Sequence, residues 1–191
     1  MKPDRRIVKP AALPRSTPRA RRRQRGASLL EGIAYLGIAA IVVIGAIALL
    51  RTAFGSANAN TMLEQLSSMQ TAARKLYMTT QGNYGTGALD GPIIAAGAVP
   101  QGMSVNATNS TISNAWGGAV TLTGATTTFT ISYASVPQDV CVDSLTGTTT
   151  GFTQVAVNNA AAIPTPVSPA AATAACNVTT AAGNTIVWTS N

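Results

Sequence analysis

Apolar and polar positions divide the chain into three regimes. From Gly32 to Leu50 no residue is charged and nearly all are apolar. With its flanks this run is long enough to cross a bilayer, which takes roughly 20 mostly apolar residues. From Thr52 polarity rises, yet Met62, Leu66, Met69, Ala73 and Leu76 recur at i, i+4, i+7, i+11 and i+14. That spacing marks one face of an amphipathic helix, with Glu64, Gln65, Ser68 and Lys75 off the stripe. No proline interrupts either stretch. The pattern predicts one helix from Ala27 to about Thr80, ending before Gly82 and about 80 Å long at a 1.5 Å rise per residue. Its second half needs a sheet to cover the apolar stripe. Beyond it the period changes to two. Strands are expected at Ala119–Thr123, Thr127–Ala134, Asp139–Val142, Phe152–Val157 and Thr185–Thr189. The expected core is Val120, Leu122, Phe129, Ile131, Tyr133, Val155, Val157, Ile186 and Trp188. The fold class is α+β, one long N-terminal helix packed on an antiparallel β-sheet.

The connections are rich in glycine, proline and small residues. Residues 81–118 hold Gly82, Gly85, Gly87, Gly91, Pro92, Gly97, Pro100 and Gly102 and read as loop. Tyr77 and Tyr84 are expected to pin this loop to the helix. Asn114-Ala115-Trp116-Gly117-Gly118 opens the strands, with Trp116 as a core anchor. Gly124 and Gly147 are expected at turns. Asn159–Ala175, rich in Ala, Pro and Thr, reads as an irregular surface loop. Gly37, Gly45 and Gly55 weaken the long helix locally by roughly 1 kcal/mol each relative to Ala. They are sites either of bending or of close packing.

Charge is concentrated at one end. Ten of the thirteen Lys and Arg precede Ala27, with one acid, so residues 1–26 carry +9 and the remainder −2. The basic pI thus belongs to the first 26 residues, and a nucleic-acid reading of the domain is excluded. That stretch, with Pro3, Pro10, Pro14 and Pro18 and no apolar core, is expected to be a disordered leader that keeps the N-terminus cytoplasmic. An ordinary secretory signal places its apolar region before the cut. Here the candidate cut, Gly26/Ala27, precedes it. A second candidate, Ala57-Asn58-Ala59, would release a soluble domain starting at Asn60, but cuts through a continuing helix behind an overlong apolar region.

Glu31 is the one carboxylate at the head of the apolar run. Such a residue is costly there and usually has a partner. Cys141 and Cys176 are the only cysteines. Two cysteines in an exported domain point to one disulfide, with two separate buried thiols as the alternative. Without histidine, and with only two thiols, no metal site is expected. The remaining acids are scattered, Asp139 and Asp143 being the one close pair, and no phosphate-cradling glycine loop is present. No enzyme and no cofactor is expected. Asn106-Ala107-Thr108, Asn109-Ser110-Thr111 and Asn177-Val178-Thr179 match a glycan-acceptor pattern, to which no function is attached.

Gly26-Ala27-Ser28-Leu29-Leu30-Glu31, between the basic run and the apolar run, resembles the class III signal of type IV pilins and pseudopilins. The one departure is Ala27, where the family usually carries a large apolar residue. Asn114-Ala115-Trp116-Gly117-Gly118 and the 26-residue leader are most similar to the type IVb subclass, the thin-pilus and bundle-forming pilins. The resemblance implies a leader at 1–26 that is removed, a transmembrane and filament-core helix at 27–51, its amphipathic continuation at 52–80, and an αβ-loop and antiparallel-sheet globular domain at 81–191. It implies cleavage between Gly26 and Ala27, N-methylation of Ala27, and a role for Glu31 in subunit register, its carboxylate meeting the Ala27 ammonium of a neighbour. The Cys141–Cys176 segment would be the variable disulfide-bounded region. Implied partners are further copies of the chain, prepilin peptidase, an assembly ATPase with its inner-membrane platform, and a secretin. The chain would sit in the inner membrane before assembly and in an extracellular pilus afterwards. A minor pilin or secretion pseudopilin, and a membrane-anchored or secreted monomeric binding domain, are the alternatives.

Overall fold

A computed structural model describes residues 29–148 and 151–191. The chain forms two compact units, residues 1–44 and 45–191. In the first unit, the described residues are the beginning of a helix, α1, which as a whole runs Leu29–Leu76. Leu29, Leu30, Ile33, Tyr35, Leu36, Ile38, Ile41 and Ile44 are all exposed there.

The second unit holds the rest of α1 and an antiparallel sheet. On α1, Ala59, Met62, Leu66, Met69 and Ala73 are buried, as the apolar spacing requires, but Leu76 is 38% exposed. The helix also stops sooner than its pattern predicts. It ends at Leu76, and a 3-10 turn follows at Met78–Thr80. Gln81 at φ 56 closes that turn with a backbone bond to Met78. Leu76 therefore lies where the helix leaves the sheet. Tyr77 and Tyr84 do meet, ring centroids 5.6 Å apart, and Tyr84 packs on Phe129 at 4.7 Å.

The segment expected as loop carries short elements. They are β1 (Gly85–Ala88), α2 (Asp90–Ala95), β2 (Ser104–Asn106) and β3 (Thr111–Ser113). The longer strands follow: β4 (Ala119–Thr126), β5 (Thr128–Val136), β6 (Phe152–Val157) and β8 (Asn184–Ser190), with a two-residue β7 at Ile163–Pro164. Sheet order is β2-β3-β4-β5-β8-β6-β7, every pair antiparallel, and β1 pairs with β4 beyond the short β3. All nine residues expected in the core are buried. On β4, β5 and β8 the buried positions alternate, so period two places one face of each on the core and the other outside.

Two stretches depart from expectation. Asp139–Val142 is not a strand. It lies within helix α3, Gln138–Gly147. Its buried residues are Val140, Cys141, Ser144 and Leu145, a one-sided helical spacing; the short apolar run Val140-Cys141-Val142 reads the same on a buried strand and on a buried helix segment. Pro137 sits just ahead at φ −57, preset for helix entry. Likewise Asn159–Ala175 is not all irregular: it contains β7 and helix α4, Pro169–Ala175. Ser168 caps α4 by accepting from the Ala171 N–H, and Pro169 is its first residue.

Gly124 lies inside β4 rather than at a turn. A Cβ there would be 2.5 Å from the Tyr84 carbonyl oxygen, so the glycine admits the backbone crossing from α1 into β1. Gly147 ends α3. Trp116 is only half-buried. The side chain buried in that turn is that of Asn114. Its Oδ1 accepts from the Trp116 and Gly118 N–H groups, and its Nδ2 donates to the Ala134 carbonyl at 2.7 Å.

Candidate assembly helix and disulfide-bounded region

The candidate site begins at the head of α1. Glu31 lies in its first turn, and the Tyr35 hydroxyl, one turn on, donates to Glu31 Oε1 at 3.4 Å. Gly32 and Gly37 would meet nothing with an added Cβ. Among the described residues, α1 is the one helix long and apolar enough to cross a membrane, and its apolar window is unburied. A soluble core helix of that composition would be covered. Gly26 and Ala27, the expected cleavage and methylation residues, lie outside the described residues. The apolar surface continues past Leu50 to Phe54, which is 64% exposed, so Arg51 does not end it.

In the second unit, hydrogen bonds fasten α1 to the sheet. Gln70 Nε2 donates to the Gly151 carbonyl at 2.6 Å and to Ser190 Oγ at 2.9 Å. Arg74 donates to Gly151 O, Ser190 Oγ and Asn191 O at 3.0–3.2 Å. These join the polar shoulder of α1 to β8 and to the start of β6. Sequence reading missed both residues because they lie outside the apolar stripe. Their partners are the backbone carbonyls of Gly151 and Asn191, which carry no residue signal, and the hydroxyl of the buried Ser190.

The disulfide-bounded region is built on α3 and α4. Cys141 on α3 is bonded to Cys176, just after α4, with Cα atoms 5.9 Å apart and both residues buried. Gln138 Nε2 donates to the Cys176 carbonyl at 2.9 Å, a second tie between the same elements. Asp139 extends from the first turn of α3 to α1 at Gly55, where an added Cβ would lie 2.7 Å from Asp139 Oδ2. Arg51, Asp139 and Asp143 line one cleft between these helices. The structure thus keeps the close acidic pair of the sequence at the disulfide.

Two titratable groups are displaced by burial. Asp90, in the first turn of α2, is held above the ordinary carboxylate value by desolvation, opposed by the bond its Oδ1 accepts from the Leu122 N–H at 2.6 Å. Leu89 N–H in turn donates to the Leu122 carbonyl at 2.8 Å, so two backbone-directed bonds fasten α2 to β4. The Tyr133 phenol is pushed well up by burial, and its hydroxyl faces Met69 Sδ at 3.6 Å inside the core. Among the described residues no group of three or more metal-ligating side chains occurs.

The family model described as PilS N terminal matches residues 56–191. The chain belongs to the PilS N-terminal family. Its long helix on an antiparallel sheet is the fold of a type IVb pilin from Salmonella typhi, with 24% identity and a TM-score of 0.52, over 65% of this chain and 96% of that one. TcpA, a type IV pilin from Vibrio cholerae El Tor, aligns at 16% identity and a TM-score of 0.49, over 70% of this chain and 99% of that one. No curated protein matches the chain. The fold of this PilS-family chain is thus that of a type IVb pilin. The disulfide-bounded segment and the apolar helix fit that family.

Proposed function

We propose that this pilin is made as a precursor, cut between Gly26 and Ala27, N-methylated at Ala27, and polymerised through α1 into a cell-surface filament. The observation that carries this reading is the uncovered apolar face of α1 from Leu29 to Phe54. Left in water, such a surface would aggregate. In a membrane before assembly, and among neighbouring helices afterwards, it is satisfied. Residues 27–51 would be the membrane and filament-core segment, 52–80 its continuation, and 81–191 the globular domain outside the membrane.

Cleavage creates an ammonium on Ala27. Its pairing with Glu31 of an adjacent copy offsets part of the desolvation of both groups and disfavours registers that leave them apart. Tyr35, which donates to Glu31, would orient the carboxylate. Prepilin peptidase, the assembly ATPase with its inner-membrane platform, and a secretin would act on the chain in that order. The chain itself serves as a structural subunit.

Intact mass and N-terminal sequencing of protein sheared from cells would test this. The expected chain begins at Ala27 and carries one methyl group. A chain beginning at Met1 and confined to membranes, or one beginning at Asn60 in the medium, overturns it.

A further inference from the structure

The face of α1 turned away from the sheet carries a pattern the fold does not use. The buried residues Met62, Leu66, Met69 and Ala73 are spaced by four, three and four. Glu64, Ser68, Thr71 and Lys75 repeat that spacing two residues later, about 200° round the helix. All four are exposed. They line an open groove of about 1050 Å³, which Ala96 and Ala98, just after α2, also line. Among the described residues, neither Glu64 nor Lys75 has an ion pair within its own chain. Eleven residues apart, they stand about 16 Å from each other along the axis, too far to meet on one helix. The small side chains between them let a second backbone approach closely.

We propose that a second copy of this chain occupies the groove, parallel to the first and displaced along it, so that Glu64 of one copy meets Lys75 of the next. This rests on the filament reading above, in which every helix points the same way. The charges select the displacement. Two parallel copies without axial shift would set Glu64 beside Glu64 and Lys75 beside Lys75, which repel. A shift of about 16 Å, less the reach of two long side chains, replaces both repulsions with an attraction. The contact is head-to-tail. Each copy turns Glu64 to one neighbour and Lys75 to the other, so the series stays open and grows as a polymer. An antiparallel pair would satisfy both charges between the same two copies and stop at a dimer.

The test uses the full chain in its own cells. Glu64→Lys and Lys75→Glu are made singly and together, and pilin is measured in sheared filaments and in membranes. Each single reversal is expected to lower sheared filament by about tenfold while membrane pilin stays constant. The double reversal is expected to return filament to within about twofold of wild type. In a Glu64→Cys, Lys75→Cys chain, a bismaleimide is expected to produce a ladder of dimers, trimers and longer species. Wild-type filament that is indifferent to the single reversals, or cross-linking that stops at dimers, overturns the contact and leaves the filament reading standing. Absence of any sheared wild-type filament overturns both.

Discussion

At the residue scale, what stands opposite each glycine decides its role. A Cβ on Gly118 would lie 2.0 Å from the Ala134 carbonyl oxygen, a backbone atom fixed in β5. Gly118→Ala is therefore expected to cost about 3 kcal/mol or more, read from the denaturant midpoint of the detergent-solubilised protein. Gly55 is the contrast. The atom in its way is the carboxylate of the exposed Asp139, which can rotate aside. Gly55→Ala is expected to be neutral or stabilising by up to about 1 kcal/mol through helix propensity. Sequence patterning sees both as glycines and cannot separate them. Asp90 supplies a pH dependence. Its folded value is raised above the ordinary 3.8, so the native state holds the proton more tightly than the unfolded chain. Its contribution to stability is then greatest in acid. It declines as pH rises from 3.8 through the raised value and is flat beyond. Asp90→Asn keeps the acceptor for Leu122 N–H, and is expected to raise the melting temperature near neutral pH and to remove that slope. A slope unchanged in the variant would assign it to another group.

At the element scale, the strands with clean alternation and the apolar stripe of α1 were legible because burial on one face writes itself into the residue pattern. α3 was not, because the short apolar run Val140-Cys141-Val142 looks the same on a buried strand and on a buried helix face. α4 was announced by Ser168-Pro169, a capping residue followed by proline, inside a composition that otherwise reads as loop. The two helices are joined by Cys141–Cys176 and by Gln138. Replacing both cysteines by serine is expected to lower stability by about 2–5 kcal/mol, with the guanidinium midpoint falling and the strand signal in circular dichroism retained below it. A loss of strand signal in the absence of denaturant would mean that β6 and β8 also depend on the bridge.

On the scale of the whole molecule, the apolar start of α1 and the sheet-covered remainder answer to different surroundings. If the proposed filament forms through α1, Glu31→Ala is expected to leave the chain in the membrane fraction, since the helix becomes more apolar, while sheared filament falls by about tenfold or more. Glu31→Gln, which keeps the size and the acceptor for Tyr35 but not the charge, is expected to do the same. Filament yield equal to wild type in both variants would remove charge pairing from the assembly mechanism.

The sequence by itself determined the helix, its apolar first half, its core stripe and the sheet residues that bury. Each of these is local or periodic, so neighbouring residues carry the signal. Tertiary structure alone decided that β8 lies between β5 and β6. It also placed Asn114 rather than Trp116 at the centre of its turn, and tied Gln70 and Arg74 to carbonyls more than seventy residues away. Those arrangements join distant backbone groups, and a backbone group is the same in every residue, so no pattern of side chains announces it.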